Sequence, residues 1–231
     1  MFTIHHFRSV TSTSDVAKRY PKKSIILADI QTRGRGRLGR EWSSKPGGIW
    51  MSVVLEPTEN PLYHLTFLAS VAVREAISTA TGVQARIKWP NDLLYEKKKL
   101  CGILTEGFFI GNEKKLIVGI GLNVNNTVPG IKKTPAIALR DITKKSVSRK
   151  KLIAHIVAQL EQWHLLYASI GFLPVLLAWK ANNAVLGQRI KIHKGKTAFT
   201  ATPVDVDEDG NLIVMQGENK QTVTDGDILL L

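Results

Sequence analysis

Gly34-Arg35-Gly36-Arg37-Leu38-Gly39-Arg40 is the stretch around which this sequence is organised, and we call it the Arg/Gly loop. Its three glycines let the backbone approach a ligand closely, while its arginines crowd positive charge onto that backbone. Because like charges repel, we expect the loop to be poorly ordered when empty and to order when a polyanion such as a nucleotide triphosphate binds. Taken alone, the stretch fits a solvated Arg/Gly loop or a nucleic-acid patch equally well.

The flanks of the Arg/Gly loop exclude a dinucleotide-binding fold. Its glycine spacing matches the Gly-x-Gly-x-x-Gly fingerprint, which requires a strand before it and a helix directly after it. Residues 24–30 are apolar and favour the strand. Residues 42–48, however, read Trp-Ser-Ser-Lys-Pro-Gly-Gly, which predicts turns where the helix should begin.

Composition restricts the class of protein. The 231 residues suffice for one large domain with a small appendage, and the formal net charge of +13 suits an acidic partner such as nucleic acid or a phosphorylated molecule. The lysines and arginines lie in short scattered clusters without interleaved aromatic residues, which disfavours a single-strand binding surface. A lone cysteine, Cys101, excludes an intramolecular disulfide and a multi-cysteine zinc site. The sequence shows neither a membrane-length apolar run nor a signal peptide, so we expect a cytoplasmic protein.

The pattern along the chain predicts two domains. Residues 1–183 alternate strands, at 2–10, 24–30, 49–55, 86–88, 99–106 and 116–125, with helices at 16–20, 62–81 and from 149 onward. Hydroxyl residues at 11–14 and Ser148 are the predicted helix caps. A turn at Gly111-Asn112 and a basic loop at 129–135 complete this part. Residues 184–231 contain five short strands separated by glycine and aspartate turns, which predicts a small β-barrel.

Three further motifs accompany the Arg/Gly loop. They are Lys88-Trp89-Pro90-Asn91-Asp92, Lys99-Leu100-Cys101-Gly102-Ile103-Leu104 and Gly119-Ile120-Gly121-Leu122-Asn123. Glycines inside a strand often mark the close approach of a ligand. In order and content, the four motifs resemble the biotin–protein ligase family, and the resemblance covers most of the chain. One such motif would be weak support, whereas all four in this order are specific.

The resemblance implies both a fold and an activity. The fold is α+β, of the class II synthetase-like or biotin–lipoate ligase type, with a mixed or antiparallel sheet flanked by helices and a C-terminal SH3-like β-barrel. The activity joins biotin to ATP, with Mg²⁺, to give biotinyl-5′-AMP and pyrophosphate. Biotin then passes to a lysine of a biotin carboxyl carrier domain. The helix-turn-helix domain of the bifunctional repressors is missing, so we expect the monofunctional type without DNA regulation. Many members are homodimers.

The resemblance also assigns site residues. Catalytic roles fall to Lys99, Arg35 and Arg37. We add Asp92, since a carboxylate beside an incoming ammonium is the plainest way to orient or deprotonate the acceptor lysine. The residues that match biotin contacts are Ser12, Thr13, Ser14, Gln31, Arg35, Gly36, Arg37, Lys99, Gly102 and Leu104. The residues that match nucleotide contacts are Arg35, Arg37, Arg40, Trp42, Asn91, Lys99 and Asn123. The sequence assigns no direct metal ligand.

Several positions keep a second interpretation. Trp42 can be a core aromatic, and Asn91 and Asp92 can be structural turn residues. Ser14 replaces an asparagine that many family members have. Cys101 replaces an alanine, and it is either a small core residue or a reactive thiol like that of octanoyl transferases.

Two other functions remain as alternatives at this stage. A lipoate–protein ligase has a related fold, but its Arg-Arg and triple-glycine stretch with a histidine is not found in this sequence. A nucleic-acid-binding protein would suit the charge of +13. The scattered lysines, and the lack of a DNA-reading helix pair, disfavour that interpretation.

Overall fold

A computed structural model describes residues 2–56, 61–110, 113–128, 135–195 and 197–231. The first seven strands are β1 Thr3–Val10, β2 Ser24–Gln31, β3 Ile49–Leu55, β4 Arg86–Lys88, β5 Asp92–Tyr95, β6 Lys98–Ile110 and β7 Glu113–Leu122. The helices are α1 Thr13–Ala17, α2 Leu62–Thr81, α3 Leu139–Thr143, α4 Arg149–Ile170 and α5 Leu173–Ala181. The predicted turn at Gly111-Asn112 and most of the predicted basic loop at 129–135 lie outside the described residues.

The first seven strands form one sheet in the order β1-β2-β3-β7-β6-β5-β4. β1 runs parallel to β2, and every other neighbouring pair is antiparallel. The predicted mixed sheet is therefore confirmed. The Arg/Gly loop follows β2 and contains only a short 3-10 turn at Arg37–Gly39, which confirms that no α-helix follows the glycines.

The two faces of this sheet have different neighbours because strand side chains alternate. On one face, Met51, Val118 and Ile103 belong to the main hydrophobic core with α2, α4 and α5. On the opposite face stand Ser52 of β3, Gly119 and Gly121 of β7 and Gly102 of β6, flanked by α1. The candidate site lies on this second face, at these four small residues.

The helix ends test the predicted caps. α2 matches its prediction and ends at Gly82 in the left-handed conformation. At the start of α4, the Lys151 amide donates to Ser148 Oγ at 3.4 Å, which confirms that cap. The prediction for α1 is wrong, because the helix begins at Thr13, ends at Ala17, and Ser12 makes no side-chain capping bond. The hydroxyl groups of Thr13 and its neighbour instead bond across to the sheet.

The remaining strands are β8 Ile190–Lys194, β9 Thr197–Val206, β10 Leu212–Gln216, β11 Asn219–Val223 and β12 Asp227–Leu230. They form an antiparallel sheet in the order β11-β10-β9-β8-β12, which we call the C-terminal sheet. Its architecture fits the predicted SH3-like unit, with one correction: β11 and β12 are sheet edges, so the barrel is not closed. Apolar side chains such as Ile192 and Val214 join the core of the larger sheet. Among the described residues, no helix is long and apolar enough to cross a membrane.

Candidate active site

A cluster of hydroxyl groups and one carboxamide lies where β2 ends beside α1. Gln31 Oε1 accepts from the backbone amide of Thr13 at 2.8 Å and from Thr13 Oγ1 at 3.0 Å. Ser52 Oγ lies 2.8 Å from Thr13 Oγ1 and 3.1 Å from Ser14 Oγ. On the other side, Gln31 Nε2 donates to Ser44 Oγ at 2.7 Å. The structure thus brings together Thr13, Ser14 and Gln31, three predicted biotin contacts. Ser12, a fourth predicted contact, is buried directly before Thr13 in the chain.

A second cluster surrounds Lys99 at the start of β6. Lys99 Nζ lies 2.6 Å from Asp92 Oδ1 and 5.1 Å from the ring centroid of Trp42. Lys88 Nζ lies 3.9 Å from Asp92 Oδ2. Asp92 is only 9% exposed, and burial lowers the pKa of Lys88, the first cause of that shift. The predicted catalytic pair Lys99 and Asp92 is therefore in direct contact, and Lys99 is not a freely solvated lysine.

A strip of glycine connects the two clusters. A Cβ on Gly119 would meet Ser14 Oγ at 3.0 Å, and a Cβ on Gly121 would meet Trp42 Cε2 at 2.6 Å. Gly102 pairs with Gly121 in the sheet, and its Cβ would lie 3.3 Å from Lys99 Cε. The Trp42 ring therefore packs against the backbone of Gly102 and Gly121, and a larger residue at either position would displace it. Its half-buried ring stands outside the main core, and its Nε1 is buried without a hydrogen-bond partner.

The arginines of the Arg/Gly loop already bind carboxylates of the same chain. Arg35 Nη2 lies 2.8 Å from Asp15 Oδ1 and 3.7 Å from Glu106 Oε1. Arg37 binds Asp225. The sequence-based expectation named an external polyanion as the group that relieves the repulsion among these arginines. In the structure, carboxylates of α1, β6 and residues 225–227 also offset this charge, and the binding of a polyanion stays a prediction.

Arg40 reaches furthest into the C-terminal sheet. Its Nη1 lies 3.0 Å from Asp227 Oδ1, and its Nη2 binds the other carboxylate oxygen. The hydrogen bond from Arg40 lowers the pKa of Asp227, and the same bond raises the pKa of Arg40. The predicted phosphate ligand is thus held by a carboxylate, the protein group closest to phosphate in shape and charge.

The other predicted residues support these clusters. Asn91 Nδ2 donates to the Ile103 carbonyl at 2.7 Å, and Asn91 Oδ1 lies 3.4 Å from Arg37 Nη1. Asn123 is buried and its Oδ1 accepts from Asn126 Nδ2 at 3.0 Å. Asn91 is therefore both a turn residue and a contact of the Arg/Gly loop.

Two predicted residues contribute through their backbone. Leu104 pairs with Gly119 across the sheet. The Gly36 amide donates to the Arg40 carbonyl at 2.7 Å and closes the Arg/Gly loop on itself.

Sequence reasoning missed Ser44, Ser52, Asp225 and Asp227. The signal for Ser52 was present, because it is the single hydroxyl residue in the otherwise apolar strand β3. The two aspartates carried no local signal. They meet the Arg/Gly loop only because the chain returns to it nearly two hundred residues later.

Two family models match this chain. Residues 6–124 match the model of the biotin/lipoate A/B protein ligase family, and residues 185–231 match the biotin protein ligase C-terminal domain. The bifunctional ligase/repressor BirA of Bacillus subtilis is 36% identical over 218 residues, which are 91% of this chain and 67% of that protein. The biotin–[acetyl-CoA-carboxylase] ligase of Paracoccus denitrificans is 32% identical over 209 residues, 86% of each chain.

A solved structure shares the whole architecture. The biotin protein ligase of Aquifex aeolicus, in complex with biotin and ATP, superposes with a TM-score of 0.88 at 30% identity. The superposition covers 99% of this chain and 98% of that one.

Proposed function

Because the chain belongs to the biotin/lipoate A/B protein ligase family, we infer that it is a biotin–[acetyl-CoA-carboxylase] ligase. It activates biotin with ATP to biotinyl-5′-AMP and pyrophosphate, and then transfers biotin to a lysine of a carboxylase carrier domain. The observation that carries this proposal is the glycine strip with the Thr13–Gln31 cluster at one end and Lys99 at the other. Hydroxyl and carboxamide groups suit the cyclic urea of biotin, and a lysine suits its carboxylate.

Adenylation requires two anions to meet, so its barrier is largely electrostatic. A carboxylate oxygen of biotin attacks the α-phosphorus of ATP, the bond to the β-phosphate bridging oxygen breaks, and pyrophosphate leaves. Lys99, beside Gly102 at one end of the glycine strip, would contact both the carboxylate and the α-phosphate. Arg37 and Arg40 would exchange Asp225 and Asp227 for phosphate oxygens, which offer more negative charge. Trp42 would then lie beside the adenylate.

Transfer requires a neutral amine. The acceptor lysine nitrogen attacks the carbonyl carbon of the mixed anhydride, the carbon–oxygen bond to phosphate breaks, and AMP leaves. We propose that Asp92 orients the incoming ammonium and takes its proton, because its carboxylate already forms ion pairs with the ammonium groups of Lys99 and Lys88. Closure of the Arg/Gly loop would keep the anhydride from water until the acceptor arrives.

Magnesium would enter with the nucleotide. The described residues contain no group of three or more His, Cys, Asp or Glu side chains placed to hold a metal ion. This suits Mg²⁺, which in nucleotide sites keeps several waters and binds mainly through substrate phosphates. Asn123, a predicted nucleotide contact, would offer it a side-chain oxygen, which accepts one hydrogen bond from Asn126 in this structure. Bound Mg²⁺ would neutralise phosphate charge.

The experiment that tests this function compares two acids in one assay. Purified protein is incubated with ATP, Mg²⁺ and either biotin or lipoate, and exchange of labelled pyrophosphate into ATP is followed. A biotin carboxyl carrier domain is then added, and its mass is measured. We expect exchange and a mass increase with biotin alone. No exchange with biotin would refute the proposal, and activity with lipoate alone would identify a lipoate ligase.

The domain boundary at 183–184 and the cytoplasmic location stay predictions.

A further inference from the structure

One backbone amide determines which groups donate and which accept in the hydrogen bonds around Gln31. A backbone N–H can only donate, so the atom of Gln31 that faces the Thr13 amide at 2.8 Å must be the carboxamide oxygen. Thr13 Oγ1 lies 3.0 Å from the same oxygen, which cannot donate. The single hydroxyl proton of Thr13 therefore points at Gln31 Oε1.

The same assignment of donors and acceptors extends to Ser52 and Ser44, two residues outside the predicted site. Because the Thr13 proton is committed, Thr13 Oγ1 must accept from Ser52 Oγ at 2.8 Å. The Ser52 proton is then committed too, so Ser14 donates to Ser52 across 3.1 Å. On the far side, Gln31 Nε2 donates to Ser44 Oγ, and Ser44 donates to the Trp42 carbonyl at 3.1 Å. One ordered chain thus connects α1 to the end of the Arg/Gly loop.

The ordered chain determines what a ligand meets. Both lone pairs of Gln31 Oε1 are occupied by Thr13, so Gln31 offers only its second Nε2 hydrogen, a donor. Thr13 Oγ1 has given its proton and accepted one, so it offers only a lone pair, an acceptor. A donor beside an acceptor matches the N–H beside the C=O of a cyclic urea. A dithiolane ring or an alkyl chain has neither group.

We propose that Ser52 and Ser44 are positioning residues that fix this donor–acceptor pattern and so set the selectivity of the site for a cyclic urea. Ser52 is fully buried and Ser44 is 5% exposed, so water does not replace their bonds. Ser52 acts through Thr13, and Ser44 acts through Gln31. Without Ser52, the Thr13 hydroxyl can turn away from Gln31 and leave the carboxamide oxygen free to accept. The site can then offer the ligand a second arrangement of donors and acceptors, in which Gln31 accepts a hydrogen bond.

The test measures adenylation by Ser52→Ala and Ser44→Ala with two ligands, biotin and its 2-imino analogue, in which C=NH₂⁺ replaces the urea carbonyl. We expect KM for biotin to rise about tenfold in Ser52→Ala, as for one buried hydrogen bond, while KM for ATP and kcat change less than about twofold. Selectivity for biotin over the imino analogue should fall by a similar factor. We expect Ser44→Ala to raise KM for biotin in the same way. Ser70→Ala is the matched control, because Ser70 is fully buried and donates to the Thr66 carbonyl within α2.

The outcomes separate this proposal from the proposed function, on which it rests. If the wild type does not adenylate biotin, the proposed function is wrong. If the wild type does so and the Ser52 and Ser44 variants behave like Ser70→Ala, or change KM for ATP equally, the positioning role is wrong. Should Ser52→Ala not fold, Ser52→Cys, which is slightly larger and carries a weaker donor, takes its place, and the same loss of selectivity is required of it.

Discussion

Arg40 of the Arg/Gly loop and Asp227 of β12 form a two-point ion pair that ties this loop to the C-terminal sheet. The same arginine is the predicted ligand of the ATP phosphates. The Asp227 carboxylate therefore binds the guanidinium group that we predict to bind phosphate. Because both side chains are well exposed, water weakens the pair, and a triphosphate with higher charge can displace it.

Removing this carboxylate charge should strengthen ATP binding. In Asp227→Asn, we expect KM for ATP to fall by about twofold to fivefold, the range of an exposed ion pair, with KM for biotin unchanged. Steady-state pyrophosphate exchange gives both constants. Asp205→Asn is the matched control, since Asp205 binds Lys180 at 2.6 Å in an ion pair that does not involve the Arg/Gly loop. A rise in KM for ATP would show that Asp227 holds Arg40 in its binding position instead.

Lys99 should be indispensable for the first step. Its Nζ is the cation that faces both Asp92 and Trp42, and we expect Lys99→Ala to lower adenylation by at least about a hundredfold, as for loss of a transition-state contact. Lys98→Ala, which removes the exposed neighbouring lysine, should keep wild-type activity. Circular dichroism checks that both variants fold. Full adenylation by Lys99→Ala would remove Lys99 from the mechanism.

The elements of this fold follow from local sequence because each has a local cause. The apolar stripe and terminal Gly82 predict α2, and Ser148 predicts the start of α4. The prediction of α1 failed because local rules assign hydroxyl residues to capping, whereas Thr13 and Ser14 bond to side chains from β2 and β3. No local rule reveals which strand lies opposite a five-residue helix.

The candidate site shows the same limit. The motifs contain Lys99 and the glycines, and the family resemblance adds Gln31, so the sequence alone names these residues as candidates. Asp225 and Asp227 were not, because their contact with the Arg/Gly loop depends on how the C-terminal sheet docks. Strand spacing and the family resemblance both predicted a small barrel, but neither determines whether the edge strands β11 and β12 meet.

Asp92 should matter more for transfer than for adenylation. We expect Asp92→Asn to slow transfer to the carrier domain by about a hundredfold, the usual contribution of a general base, while pyrophosphate exchange changes much less. The asparagine keeps the shape and removes the charge. The two steps are measured separately, transfer by mass of the carrier and adenylation by exchange. Because Asp92 also forms an ion pair with Lys99 at 2.6 Å, equal slowing of both steps would mean that it acts only by positioning Lys99.

Cys101 should be dispensable. It is fully buried, and burial, the main cause, raises the pKa of its thiol far above the ordinary value, so it stays protonated and unreactive. We expect Cys101→Ala to keep adenylation and transfer within about threefold of wild type, and iodoacetamide to modify the native protein much more slowly than the urea-unfolded chain. Loss of transfer alone in this variant would support the thiol chemistry of the octanoyl transferases.

His64 should make stability depend on pH. Its ring stacks on Phe172 with centroids 3.7 Å apart, its Nδ1 lies 2.9 Å from Tyr167 Oη, and its Nε2 lies 3.3 Å from the Glu208 carbonyl. Burial lowers its pKa below its ordinary value of about 6.5, so the unfolded chain binds a proton first as the pH falls. The folded state is therefore favoured above pH 6.5 and loses stability as the pH falls from there through the folded pKa. We expect the wild-type Tm to drop between pH 7.5 and pH 5.5.

Two variants isolate this contribution. His64→Gln removes the titrating ring, and we expect a lower Tm at pH 7.5 but a smaller further drop toward pH 5.5. His164, whose pKa burial also lowers, contributes with the same sign, so some drop should remain. His193→Gln, on the exposed side of β8, is the control and should keep the wild-type drop. If His64→Gln and the wild type lose equal Tm across this range, the neutral His64 ring does not connect α2 to the C-terminal sheet in the way its contacts imply.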